Sequence, residues 1–352
     1  MKYGVLLVGE HTPHELAELT GLISDLGYHT LWYADERFYR DAYVGLAVIA
    51  MNSKGIHFGT CVTDPYSRHP ALTAVAMASV AELAPGRAIL GIGAGGSGFE
   101  ALGIDRKKPV AAVREAIAII RRLWNGEAVT VEGKVVSCKE LSLGFEVPSE
   151  IPIVLAATGP QLISLAGEIA DGVIVGDYAS VRAMTRARDL WEKGAAKAGR
   201  SLAGNTFAAR LNLAISEDGG AARDSLRGWV GGVLWDTYPG WDTLFNYSPD
   251  WQKDLQPFIT FIETHGRPRA IADYAKVSDF VHLFREELVM DHVLAGTPDQ
   301  VAGQIVDLET IGVNELVLFP SPLPGQSPQD VLCLFAERVM PKVASGSSPR
   351  KA

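Results

Sequence analysis

Apolar residues are spaced along the chain in two alternating ways: short continuous runs, and longer stretches where they return every three or four positions. The first long stretch opens on Thr12-Pro13-His14-Glu15, a capping box with proline at the first helical position. Leu16, Leu19, Leu22, Ile23 and Leu26 then share one helical face, Gly27 supplies the stop, and a continuous apolar run follows at once. The same grammar returns near the other end. Thr297-Pro298-Asp299-Gln300 opens a helix with Val301, Ile305, Leu308 and Ile311 on one face, Gly312 closes it, and 315–319 form the next run. In between, the pattern predicts strands at 3–8, 28–34, 56–61, 87–93, 151–156, 172–176, 206–215 and 315–319. It predicts helices near 13–26, 41–52, 70–83, 110–124, 160–170, 180–198 and 298–311. Continuous apolar strands separated by amphipathic helices imply a parallel sheet with right-handed crossovers. A series of this length closes as a (β/α)8 TIM barrel, with a doubly wound open sheet as the alternative.

Two segments depart from this rhythm. Residues 129–140 alternate apolar and polar about Glu132-Gly133, the pattern of a hairpin placed before the fifth strand. Residues 216–296 are too many for one helix and two loops, so they form an insertion between strands seven and eight. That insertion holds Trp229, Trp235, Trp241 and Trp251 of the 7 tryptophans in the chain. The expected organisation is one barrel domain over 1–342 carrying this insertion, then a disordered tail over 343–352.

Composition narrows the partners. At 47% hydrophobic and 21% charged, the chain can bury a large core. Its net charge of −9 argues against nucleic acid or an anionic membrane, both of which reward a basic face. No apolar run reaches membrane-spanning length. Cys61, Cys138 and Cys333 are far apart and lack CxxC spacing, which points to a reducing cytoplasm and away from a thiolate zinc site. His11 and His14 have helical spacing but no acid arranged with them, so no metal site is expected.

Candidate chemistry gathers where predicted strands end. Gly91-Ile-Gly-Ala-Gly-Gly96 matches G-x-G-x-x-G, but it follows the fourth strand, and the region that should carry a ribose-binding acid is helical. That excludes a Rossmann site. Backbone approaching a ligand and a plain tight turn both remain open for these glycines. Gly159-Pro160-Gln161 opens a helix behind Ala156-Ala157-Thr158, where free amides and the helix dipole suit a phosphate, although an ordinary proline-led N-terminus reads the same way. Asp35 closes the second strand, a position where barrels place functional groups.

Taken together and in order, these segments resemble the deazaflavin-dependent methylene-tetrahydromethanopterin reductases of the bacterial-luciferase-like superfamily. The likeness is carried by Gly59-Thr-Cys-Val-Thr-Asp-Pro-Tyr-Ser-Arg-His-Pro70, Gly86-Arg-Ala-Ile-Leu-Gly-Ile-Gly-Ala-Gly95, Ala101-Leu-Gly-Ile104, Ala157-Thr-Gly-Pro160 and Gly167-Glu-Ile-Ala-Asp-Gly172. Gly296-Thr-Pro-Asp299 and Val317-Leu-Phe-Pro320 match the superfamily's closing helix and strand. The resemblance implies a homodimeric barrel that holds coenzyme F420, or FMN in other branches, at the C-terminal face of its strands. It places Asp35 and the Cys61–Val62–Thr63 backbone on the ring, with Gly93, Ala94 and Gly95 lining its neighbourhood. Ala157, Thr158, Gly159, Pro160, Gln161 and Gly176 would hold the ribityl phosphate, and Asp35 is the candidate catalytic group. The Cys61–Val62 peptide is implied to be a non-prolyl cis bond.

The reaction that follows is hydride transfer between the deazaflavin and a small organic substrate. An FMN-dependent monooxygenase fed by a separate flavin reductase is the alternative, and a non-catalytic flavin-binding relative is a third reading. Where the reductases usually carry acids, this chain has Leu6 and Gly96, with Glu10 and Glu100 nearby. The expected substrate is therefore not methylene-tetrahydromethanopterin. Trp235 and Trp241 of the insertion are expected to line the substrate pocket.

Overall fold

The computed structural model describes all residues except Ser97, Asn246, Ser248, Arg269, Ala270 and 347–352, and gives only the backbone of Pro249, Asp250, Trp251 and Ile271. Strands β1 (Lys2–Leu7), β2 (Thr30–Tyr33), β3 (His57–Thr60) and β4 (Ala88–Ile92) are followed by an antiparallel hairpin of β5 (Val129–Glu132) and β6 (Ser137–Leu141). Then come β7 (Ile153–Ala157), β8 (Gly172–Gly176), β9 (Thr206–Ile215), the short β10 (Leu294–Gly296) and β11 (Glu315–Pro320). The main sheet runs β9-β11-β1-β2-β3-β4-β7-β8, all parallel, and β8 pairs with β9 to close it into a (β/α)8 barrel. β10 adds to the far end of the long β9.

Helices α1 (Pro13–Asp25), α2 (Ala42–Asn52), α3 (Pro70–Leu83), α4 (Pro109–Trp124), α5 (Pro160–Ile169) and α6 (Val181–Lys197) follow strands in the predicted order. The insertion folds as α7 (Gly219–Ser225), α8 (Arg227–Thr237), α9 (Trp241–Phe245), α10 (Gln256–His265) and α11 (Glu286–Met290), with 3-10 turns at Pro249–Leu255 and Ile271–Leu283. α12 (Pro298–Thr310), α13 (Pro328–Arg338) and α14 (Met340–Ala344) complete the chain. The capping boxes at Thr12 and Thr297 are both formed. α13 was not anticipated, although Ser327 and Asp330 make a third capping box of the same kind. Its Phe335 packs edge-on to Tyr3 at 5.2 Å, and the Tyr28 hydroxyl donates to the Leu332 carbonyl at 2.9 Å. The expected tail starts too early at 343: α14 runs through Ala344 and buries Val343, and 347–352 lie outside the described residues. Among the described residues no helix is long and apolar enough to cross a membrane.

The barrel interior is filled by Leu6, Trp32, Val154, Ile174, Ala208 and Val317. The Trp32 indole N–H donates to Glu315 Oε1 at 3.0 Å. Burial pushes the Glu315 carboxyl above the usual carboxylate range, while its hydrogen bonds pull the other way. Because Glu315 opens β11, this pair plugs the N-terminal half of the barrel.

Candidate functional site

The rim from β2 to β7 is shaped by backbone, and its side chains hold that backbone in place. Thr63 Oγ1 donates to Asp35 Oδ2 at 2.7 Å, and the Tyr43 hydroxyl donates to Thr63 Oγ1 at 3.4 Å. Desolvation raises the Asp35 carboxyl, with the Thr63 hydrogen bond opposing it. The Cys61–Val62 peptide is cis, as the resemblance implies. Desolvation pushes the Cys61 thiol up to about 12, so it stays protonated and is no nucleophile. Beyond the cis bond, Thr63 N–H donates to the Gly91 carbonyl at 3.1 Å and Gly93 N–H to the Thr63 carbonyl at 2.9 Å, locking the loop onto β4.

Asp64 anchors the same loop from within. Buried at 1% exposure, it accepts Tyr66 N–H at 2.7 Å, Ser67 N–H at 2.8 Å, Ser67 Oγ at 2.7 Å and Arg37 Nη1 at 2.8 Å. The Arg37 guanidinium lies 3.9 Å from the centre of the Phe99 ring. Phe99 in turn packs on Gly95, which has φ +71 and where a Cβ would stand 2.4 Å from the ring. Gly95 therefore serves close approach by another side chain as well as a turn. Its carbonyl accepts a hydrogen bond from Arg106.

Further round the barrel, Gly159 caps α5, and among the described residues no side chain caps the free amides of its first turn. The Tyr178 hydroxyl donates to the Thr158 carbonyl at 2.7 Å, and a Cβ on Gly176 would stand 3.5 Å from Thr158 Oγ1. A small recess, with room for about one water molecule, opens there between Thr158, Pro160, Ile163, Tyr178, Arg186 and Leu190. A helix N-terminus without a capping side chain, beside a hydroxyl and a guanidinium, fits a phosphate.

The rim at β8 and β9 is made of side chains. Asp177, in the left-handed region at φ 60, accepts Arg210 Nη1 at 2.9 Å and the Trp229 indole N–H at 3.3 Å on the same carboxylate oxygen. The Arg210 guanidinium lies 5.1 Å from the Trp229 ring and 5.5 Å from Phe319. Behind Asp177, the fully buried His292 donates from Nδ1 to its carbonyl at 2.8 Å and meets the Tyr247 hydroxyl through Nε2 at 3.0 Å. Burial lowers the His292 pKa, against the pull of the Asp177 and Asp291 carboxylates, and the bond to the Asp177 carbonyl places a proton on Nδ1. On α8, Gly232 lets the Tyr274 ring come within 1.9 Å of where a Cβ would stand, and Tyr274 packs edge-on to Trp229 at 5.5 Å.

These positions sort the expected substrate-side residues. Trp235 and Trp241 are both buried. Trp235 gives its indole N–H to the Gly266 carbonyl, and Trp241 gives its own to the Leu234 carbonyl at 2.8 Å. They pack the helices of the insertion on one another, and Trp229 is the tryptophan that reaches the mouth. The Trp251 side chain lies outside the described residues. Leu6 is buried in the barrel interior, and Gly96, Glu10 and Glu100 are exposed. Arg210, Asp177 and His292 were missed. A single arginine within the apolar run of β9, and an acid directly after Gly176, were the available signals.

A barrel whose mouth combines a backbone-shaped rim with an uncapped helix N-terminus defines a cofactor-binding enzyme scaffold. Residues 1–315 match the luciferase-like monooxygenase family, and the chain belongs to that family. It is 31% identical over 344 residues to a 5,10-methylenetetrahydromethanopterin reductase from Archaeoglobus fulgidus, covering 97% of this chain and 100% of that one. An F420-dependent glucose-6-phosphate dehydrogenase from Beutenbergia cavernae is 33% identical over 235 residues, covering 62% of this chain and 70% of that one. The solved structure of the coenzyme F420-dependent tetrahydromethanopterin reductase from Methanopyrus kandleri superposes with a TM-score of 0.77 at 26% identity, covering 97% and 99% of the two chains.

Proposed function

We propose that this chain is an oxidoreductase that moves a hydride between coenzyme F420 and a small organic substrate. The observation that carries this reading is the convergence on one rim of Asp35, the Cys61–Val62 peptide, the Gly93–Gly95 run and the uncapped α5 N-terminus. The whole-length likeness to F420-dependent reductases supports it. When bound, the deazaflavin supplies a hydride from C5. Thr63, Gly93, Ala94 and Gly95 would shape the surface that receives the ring, and Ala157, Thr158, Gly159, Pro160, Gln161 and Gly176 would hold the phosphate. Asp35 would present a carboxyl whose desolvation favours the protonated form and suits it to donate a hydrogen bond or proton. Trp229, Arg210 and Asp177 would form the facing wall where the substrate is aligned. Trp235 and Trp241 would act behind that wall, as its packing.

Titration of the purified protein with F420 and FMN tests the reading. F420 is expected to bind at least about tenfold more tightly, roughly 1.4 kcal/mol. Equal affinity, or FMN retained through purification, would move the assignment to a monooxygenase supplied by a separate flavin reductase. The proposed assembly is a homodimer through α2 and α3. Both helices carry apolar residues all round, and Val44 and Met51 are 58% and 73% exposed beside the exposed Leu72. A second copy of the same face would cover them. The free cysteines fit a reducing, cytoplasmic setting.

A further inference from the structure

β9 places two polar side chains on its inward row towards the mouth. Ala208 belongs to the interior cluster, and strand alternation points Arg210 and Asn212 the same way. The Arg210 guanidinium sits at the mouth between Asp177 and the rings of Trp229 and Phe319. Among the described residues, Asp177 is its one hydrogen-bond acceptor, taken through Nη1 alone, so its other N–H groups are available.

Two residues further along, Asn212 has the opposite need. It is 3% exposed, and its Nδ2 donates at 3.1 Å to Ser321 Oγ, which itself donates to the Phe319 carbonyl at 3.3 Å. Its Oδ1 is buried and receives no hydrogen bond. A buried carbonyl without a donor is costly and uncommon, and it asks for a partner. The inward row of β9 thus offers N–H groups next to an orphaned acceptor. The complementary ligand edge is a carbonyl beside an N–H on one rigid plane, which is a cyclic imide.

We propose that Arg210 and Asn212 bind the imide edge of the cofactor's pyrimidinedione ring, Arg210 donating to a ring carbonyl and Asn212 Oδ1 accepting the N3–H. This rests on the cofactor reading above and adds to it a second wall, facing the Cys61–Val62 side. Asp177 and Trp229 hold Arg210 in place, so the residues at the substrate wall also fix the ring.

The test uses the phosphate-free deazaflavin core and its N3-methylated derivative, each titrated by deazaflavin fluorescence into the full chain. The unaltered protein is expected to bind the methylated ring about tenfold more weakly, because the methyl removes the donor that Asn212 needs. Asn212→Leu should bring the two affinities within about twofold of each other, whereas Asn212→Asp, which keeps an acceptor, should retain the difference. Arg210→Met should weaken both compounds about tenfold and leave their ratio unchanged, with Arg210→Lys intermediate. Equal binding of the two rings by the unaltered protein would overturn the proposal without any variant having to fold. A ratio that persists in Asn212→Leu would overturn it too. No binding of the unmethylated core by the unaltered protein would contradict the cofactor reading itself.

Discussion

The two sides of the barrel mouth are built on different principles. From β2 to β7 the surface is backbone: a cis peptide, a glycine run and a helix N-terminus without a cap. Its side chains, Asp64 and Arg37 above all, work behind that surface to hold the loops. From β8 to β9 the surface is side chain. Arg210, Asp177 and Trp229 meet there from three distant parts of the chain, with His292 and Tyr247 behind them. A backbone surface cannot be re-cut by one substitution, which suits a cofactor whose shape is fixed. A wall of side chains can be, which suits the part of the site that chooses a substrate.

The largest expected effect strikes both sides at once. Trp32→Ala empties the barrel plug and strips Glu315 of its indole partner, and should cost about 3–5 kcal/mol in urea denaturation. A loss under about 1 kcal/mol would mean that the interior is not packed as described. Next comes Asp64→Ala, which removes the acceptor shared by Arg37, Ser67 and the Tyr66 and Ser67 amides and frees the third-strand loop. It should cost about 3 kcal/mol and weaken F420 binding more than tenfold, while amide exchange in α8 stays unchanged. His292→Ala separates the sides the other way. It removes the donor to the Asp177 carbonyl, costs about 1–3 kcal/mol, and should speed exchange in α8 while α5 keeps its protection. Parallel changes in α5 and α8 in both variants would dissolve the contrast.

A smaller effect lies at the opposite end of the barrel. His29 and His57 stack at 4.8 Å, and desolvation, with Lys2 nearby, lowers both, His29 to about 4. Below 6.5 the unfolded chain therefore binds more protons than the folded one, so stability is lost as pH falls from about 6.5 towards 4. Thermal unfolding midpoints should drop over that window, and His29→Gln should flatten the drop. A midpoint independent of pH there would contradict it.

The same contrast explains what could be read in advance. The barrel was legible because each helix–strand unit announces itself locally, through caps such as Thr12 and Thr297 and continuous apolar strands. α13 starts on the same kind of signal, the Ser327–Asp330 capping box. The β2–β7 rim was marked by short local segments, although its cis bond came from the resemblance and its glycines and helix start read equally well as a plain turn and a proline-led N-terminus. The β8–β9 wall was not. Trp229, His292 and Asp177 come together only after the insertion has folded, and no local spacing separates Trp229, which reaches the mouth, from Trp235 and Trp241, which are buried. Tryptophan count marked the segment that supplies Trp229 to this wall, while the two rings expected at the pocket are packed inside the insertion.

A crystal structure of the full chain with F420 tests the central claim most directly. The account predicts the deazaflavin ring between the Cys61–Val62 peptide and the Arg210–Trp229 wall, with the phosphate on the amides of Gln161 and Leu162 beside Thr158. A ring bound elsewhere on the barrel, or a phosphate away from the start of α5, would contradict it.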